Sequence, residues 1–162
     1  MNPAGESSGM TPRSSPRSID VRELRSEDQP QWRVLWNGYL DFYRCELPQA
    51  VTEFTWRRLI DQGHGLHGFA AVDATDGVVG IVHFQFQPST WSLTSYCYLE
   101  DLFVAPKRRG SGAGSALIRA VYRAADERGA GKVYWTTENS NERARSLYDR
   151  MATLTPFLQY RR

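Results

Sequence analysis

The sequence predicts a mixed α/β domain in which a mostly antiparallel sheet is flanked by helices, in the order β-α-α-β-β-β-α-β-α-β. Three observations carry this. Three β-rich runs follow one another between Leu66 and Val104, the first two joined by DATDG, whose Asp76-Gly77 is a hairpin signal. Apolar residues keep helical period over 32–43 and again over 117–125. The second of these helices lies between two strand-like runs, as in a right-handed crossover unit.

Taken in order, residues 1–17 (MNPAGESSGMTPRSSPR) are rich in Ser, Pro and Gly and show no apolar period. Such a segment cannot offset its own ordering entropy, so it reads as a disordered tail ahead of one domain over 18–162. A chain of 162 residues is long enough to bury about two thirds of its unfolded surface around one core. SIDVREL (18–24) alternates Ile19, Val21 and, after a one-residue slip, Leu24, as a half-buried strand does. Trp32, Leu35, Trp36, Tyr39, Leu40 and Tyr43 form one helix stripe, with Pro30 suited to its first turn. A shorter helix over 51–61 follows Pro48 and stops at DQGHG. LHGFAAV (66–72), GVVGIVHFQFQ (77–87) and SYCYLEDLFV (95–104) make an antiparallel meander. Leu117, Ile118, Val121, Tyr122 and Ala125 mark a helix beginning near Gly112 or Ala113 and ended by Gly129 and Gly131. KVYWTT (132–137) reads as a buried strand, residues 141–151 as a helix behind the capping cluster Asn139, Ser140 and Asn141, and TPFLQY (155–160) as a closing strand.

Composition excludes several functions. Basic residues number 20 against 18 acidic ones, a net charge of +2, too mild a balance for a nucleic-acid binder. Cys45 and Cys97 sit in no CxxC or Cys/His cluster, so a metal site and a disulfide framework lack support, and both read as buried thiols in a reducing compartment. No apolar run approaches the roughly 18 to 20 residues of a membrane span, and the N-terminus has no signal-peptide core. The expectation is a cytoplasmic protein without metal.

RRGSGAG (108–114) carries the chemistry. It sits between a strand ending near Val104 and a helix, where free N–H groups, the helix dipole and glycines that admit a ligand to the main chain together bind phosphate oxygens. Lys107, Arg108 and Arg109 add positive charge. A nucleotide-hydrolysing P-loop needs Lys and then Ser or Thr after the last glycine, but Ser115 and Ala116 follow Gly114. A dinucleotide loop needs glycine where Ser115 stands.

Arg109-x-x-Gly112-x-Gly114 after LFVAP, the strand YLEDLFV, and the segment YWTTENSNERARSLYDR with Asn141, Ala144, Leu147 and Tyr148 at matching spacing resemble the three motifs of the GNAT superfamily of acetyl-CoA-dependent N-acetyltransferases. The resemblance covers Ser18 to the C-terminus. It implies a V-shaped sheet whose central strands splay to leave a cleft for the pantetheine arm of acetyl-CoA. It assigns the backbone of Leu102, Phe103 and Val104 to the pantetheine. The amides of Arg109, Gly110, Ser111, Gly112, Ala113, Gly114 and Ser115 would hold the pyrophosphate, and Asn141, Ala144 and Tyr148 the second cofactor motif. It further implies acetyl transfer to a primary amine, small molecule or peptide, by direct attack in a ternary complex. The alternative is a catalytically silent acyl-CoA-binding module of the same fold.

Tyr148 occupies the family's tyrosine position and is expected as the acid; spacing alone reads it as a half-buried core tyrosine. For the base, strand alternation puts Glu100 on the face of Leu102 and Val104 and Asp101 on the other, which favours Glu100, although a structural pairing with arginine fits it as well. Cys97 falls on the opposite face from Glu100, against a covalent cysteine intermediate. Trp36, Tyr39 and Tyr43, with Asp41 and Glu46 nearby, would suit a cationic amine; His83 is a further substrate-side candidate, or a hydrogen-bonded structural residue. The stretch WNGYLDFYR resembles small bacterial members described as histone or polyamine acetyltransferase-like. After Tyr148 the sequence departs from the family's Gly-Phe ending, with Phe157 as the stand-in. The short segment that remains implies a second subunit closing the acceptor side, hence a homodimer.

Overall fold

The computed structural model describes residues 18–162; the expected tail over 1–17 lies outside the described residues. The elements are β1 (Ile19–Glu23), α1 (Gln29–Phe42), α2 (Gln49–Ile60), β2 (Leu66–Asp73), β3 (Gly77–Pro88), β4 (Ser95–Val104), α3 (Ala113–Glu127), β5 (Val133–Tyr134) and α4 (Glu142–Tyr148). The sheet runs β1-β2-β3-β4-β5. Its first three pairings are antiparallel and the last is parallel.

Two cores follow from the two faces of this sheet. On one, Trp32, Leu35 and Trp36 of α1 and Trp56 and Leu59 of α2 pack on Ala70, Ile81 and Phe103. On the other, Leu117, Ile118 and Val121 of α3 pack on Val82, Phe84, Cys97 and Leu99. Each fully buried Leu or Ile contributes about 1.5–3 kcal/mol relative to exposure. Between β1 and α1, Asp28 is buried yet satisfied: Arg22 donates to its two oxygens at 2.6 and 2.8 Å and the Arg25 amide at 2.8 Å.

The strand expected over 132–137 is paired only at Val133 and Tyr134, opposite Cys97 and Tyr98. A bulge interrupts the β3–β4 ladder just beyond this contact: His83 faces Asp101 while Phe84 faces Leu99, leaving Glu100 as the extra residue. Bulges bend the strand that carries them, and here β4 parts from β5 at the bulge, which opens the V. The closing strand expected over 155–160 is absent; those residues are exposed and in no strand, and Phe157, expected to stand in for the family's phenylalanine, is 79% exposed. Instead the Tyr122 hydroxyl donates to the Met151 carbonyl at 2.9 Å and ties down the turn after α4. Cys45, expected buried, is exposed because α1 ends at Phe42 and the following loop runs over the surface.

Candidate active site

Where β4 and β5 part, a cleft of about 490 Å³ opens, within the size range of small-ligand sites. Its walls are Tyr98 to Leu102 of β4, Trp135 to Glu138 of the chain after β5, Tyr39 of α1 and Tyr43 just after that helix, Tyr148 of α4, and Gln159 of the C-terminal segment. Beyond Tyr98 no described strand pairs with this edge of β4. Its main-chain groups therefore need another partner. Leu102, Phe103 and Val104 lie along that edge.

The glycine loop lies at the C-terminal end of β4. Gly110 and Gly112 adopt φ of +84° and +89°, which side chains of L-residues rarely tolerate. A Cβ at either would meet nothing within 4 Å, so the conformation and not crowding selects glycine. Gly112 is the N-cap of α3 and no side chain caps that end. The first N–H groups of a helix have no intrahelical acceptor, so Arg109 through Ser115 surround an uncapped helix end with the dipole behind it. Ser115 Oγ donates to the Gly112 carbonyl at 2.9 Å, tightening the turn. Lys107, Arg109 and Ser111 border the hollow beside it. Arg109 also lies over the Phe103 ring at 5.7 Å. Arg108 is different from the expectation: its guanidinium is held by Asp73 and Asp76, the latter at 3.1 Å, so its charge is neutralised by the β2–β3 turn. The Thr75 amide, with the Asp76 amide and Arg108, keeps the Asp73 carboxyl below the usual carboxylate range. These groups fit a pyrophosphate.

Helix α4 brings the second motif to the same cleft. Asn141 is its N-cap: Oδ1 accepts from the Ala144 amide at 3.3 Å and Nδ2 donates to Thr137 Oγ1 at 3.3 Å. Asn141 thereby joins α4 to the cleft wall, and Ala144 stands in the helix's first turn. Tyr148, the last residue of α4, sets its ring edge-on to Trp135 at 5.3 Å. Burial, and secondarily Tyr43, pushes its phenol up to about 12.

The bulge overturns the strict alternation used to separate the two carboxylates. Leu99, Leu102 and Val104 all point toward α3, whereas Asp101 faces His83 and Glu100 accepts from Gln85 Nε2 at 2.8 Å. Gln85 pairs with Tyr98 and His83 with Asp101, so both carboxylates stand on the α1 side, in the cleft. Burial, then the charge of Asp101, raises the Glu100 pKa, partly offset by the Gln85 hydrogen bond and the charge of Arg58. Cys97 lies on the α3 side, fully buried, and burial pushes its thiol up to about 11.

The α1 stripe is a continuous aromatic ladder: Trp32 to Trp36 at 5.8 Å, Trp36 to Tyr39 at 5.4 Å, Tyr39 to Tyr43 at 5.0 Å. Only its C-terminal half reaches the cleft. Tyr39 and Tyr43 line it, but Trp36 is buried and donates its indole N–H to Thr52 at 3.2 Å. His83 is fully buried between Trp32 and Asp101. Neither Trp36 nor His83 is in position to touch a substrate. Asp41 and Glu46 are exposed and outside the cleft.

Residues 21–152 match the model of the Acetyltransferase (GNAT) family. The chain belongs to that family. The D-amino-acid N-acetyltransferase HPA3 of Saccharomyces cerevisiae is 34% identical over 145 residues, covering 89% of this chain and 90% of that protein. An N-acetyltransferase of Bacillus subtilis, YhfO, is 31% identical over 134 residues, covering 81% and 87%. The aminoglycoside N-acetyltransferase AAC(6')-Iy, solved with CoA, superposes with a TM-score of 0.78 at 19% identity, over 94% of this chain and 98% of that one. The protein is thus an acetyl-CoA-dependent acyltransferase that acetylates amines.

The cleft of this GNAT acetyltransferase also holds Tyr98, Thr137 and Glu138, which the sequence did not single out, and Asp101, which strand alternation had set aside in favour of Glu100. Thr137 and Glu138 border the cleft because β5 stops at Tyr134, a property of pairing and not of composition. Among the described residues no group of three or more His, Cys, Asp and Glu is arranged to hold a metal, and no helix is long and apolar enough to cross a membrane.

Proposed function

We propose that this acetyltransferase passes the acetyl group directly to a primary amine in a ternary complex, with Glu100 taking the amine's proton and Tyr148 supplying one to the leaving thiolate. The observation that carries the proposal is the meeting of a protonated phenol and a raised carboxyl in one cleft, with the inert Cys97 thiol on the other side of the sheet. Acetyl-CoA supplies a thioester, an electrophilic carbonyl with a sulfur leaving group. The uncapped end of α3, with Lys107 and Arg109, would hold its pyrophosphate; the free edge of β4 over Leu102–Val104 would bond its pantetheine amides. Asn141 and Ala144 would serve through α4, whose placement aims Tyr148. Tyr148 keeps its proton at neutral pH and donates to a thiolate. Glu100, its pKa raised by burial and the charge of Asp101, is a better match to an ammonium than an ordinary carboxylate.

A panel of amines assayed by thiol release from acetyl-CoA tests this. D-amino acids belong in it because the yeast relative is named for them, with polyamines, aminoglycosides and peptide N-termini beside them. Turnover with intersecting initial-velocity lines is the expected result. Parallel lines would replace the ternary complex with a covalent intermediate, and binding without turnover would leave an acyl-CoA-binding module.

A homodimer belongs to the same proposal. Leu154, Phe157, Leu158 and Tyr160 are between 77% and 91% exposed at the end of the chain, an apolar stretch that a second copy would cover. Sedimentation should show a dimer that Phe157→Ser with Leu158→Ser dissociates; a monomeric parent protein would end this part of the proposal.

A further inference from the structure

The contact between Trp32 and His83 joins α1 to β3 and has a fixed direction. An indole N–H donates and never accepts. Nε2 of His83, 3.0 Å from Trp32 Nε1, is therefore the lone-pair nitrogen. The neutral ring then carries its proton on Nδ1, which lies 2.9 Å from Asp101 Oδ2 and donates to it. His83 is fully buried. A second proton on Nε2 would confront the indole N–H with no acceptor in reach, and an unpaired buried donor is costly. The tautomer is locked.

Asp101 receives this donor from behind and interacts with the Tyr39 hydroxyl from α1. Its side chain keeps 15% exposure and borders the cleft. The other titratable groups around it are Tyr43 just after α1, Tyr98 and Glu100 on β4, and Arg58 of α2, whose charge reaches Glu100. Trp32 and Trp36 close the rear and exclude water, with ring centroids 6.1 and 5.4 Å from His83.

We propose that Trp32 and His83 are positioning residues that hold Asp101 as a fixed hydrogen-bond acceptor in the cleft, and that Asp101 seats the ammonium group of the acceptor. The inference rests on the amine-acetylating reading above and divides the work of its two carboxylates. Asp101 binds the cation. Glu100, made more basic by that neighbour, takes a proton from the seated ammonium and leaves the neutral amine with its lone pair free. Two like groups in unlike surroundings thus take different roles. Acceptors with a cationic amine are favoured over neutral alcohols or thiols.

The lock is tested without turnover. Nitrogen-15 spectra of His83 at neutral pH should show the proton on Nδ1 and a bare Nε2. A proton on Nε2, alone or together with one on Nδ1, overturns it whatever the enzyme's activity. The seat is tested with propylammonium, its dissociation constant read from backbone amide shifts. Asp101→Asn and His83→Leu should each weaken binding on the order of 30-fold, as expected when one partner of a buried charge pair is removed. His83→Asn, whose amide N–H replaces the Nδ1 donor, should restore most of the affinity. Equal affinity in the parent protein and Asp101→Asn overturns the seat; equal losses in His83→Leu and His83→Asn overturn the positioning role. Should His83→Leu fail to fold, Asp101→Asn at the cleft surface still decides the first point. Failure of thiol release with these results intact would count against acetyl transfer and not against the lock.

Discussion

Tyr148 owes its chemistry to where it is buried. Packed edge-on to Trp135, its phenol is pushed up to about 12 by burial and is a donor throughout the physiological range. Tyr148→Phe should leave acetyl-CoA protection in a thermal-shift assay intact while lowering kcat by about 100-fold, the lower end of general-acid contributions; an unchanged kcat removes Tyr148 as the acid. Glu100 is read through pH. Its pKa is raised, and a base works only when deprotonated, so kcat/KM should fall as pH drops through a value above the ordinary carboxylate range. Glu100→Gln should abolish that acidic limb; a limb unchanged in the variant assigns it to another group. Tyr148 was legible in the sequence only through the resemblance of its segment to the family's second cofactor motif, since spacing alone reads it as a core tyrosine. The division between Glu100 and Asp101 was not, because strict alternation assumes a regular ladder and one extra residue reverses every face beyond it.

At the scale of elements, a left-handed glycine ends one turn and starts a helix. Gly112→Leu places a side chain at φ +89°, costing about 1–2 kcal/mol of stability, and also fills the approach to the α3 N-terminus. Acetyl-CoA should then no longer raise the melting temperature; full protection in this variant would move the pyrophosphate elsewhere. Asp28 governs the β1–α1 junction. Burial favours its protonated form, but the Arg22 pair and the Arg25 amide outweigh that and lower its pKa. Its contribution is present above the unfolded carboxylate value and lost as pH falls through the folded one. Asp28→Asn should therefore cost about 2 kcal/mol in urea unfolding at neutral pH, with the deficit shrinking in acid. Helix α1 was readable from Trp32 to Tyr43 because a helix stripe is local in sequence. The end of β5 was not: KVYWTT has a strand's composition throughout, and only the departure of β4 at its bulge leaves Trp135 to Thr137 unpaired. The Trp32–His83 contact spans 51 residues and leaves no local signature.

The whole molecule is a sheet with a core on each face and a wedge-shaped gap between β4 and β5. A ligand bound there touches α1, β4 and α4 together, so acetyl-CoA at 100 times its dissociation constant should stabilise the fold by about 2.7 kcal/mol. An increment that does not grow with acetyl-CoA concentration would rule out binding to the native state. The Arg108 clamp bears on how that binding proceeds. By fastening the glycine loop to the β2–β3 turn, Asp73 and Asp76 set the loop's conformation before any ligand arrives. Calorimetry of acetyl-CoA binding should accordingly give a heat-capacity change no larger than the contact surface requires, without the added negative contribution of a segment that folds around its ligand.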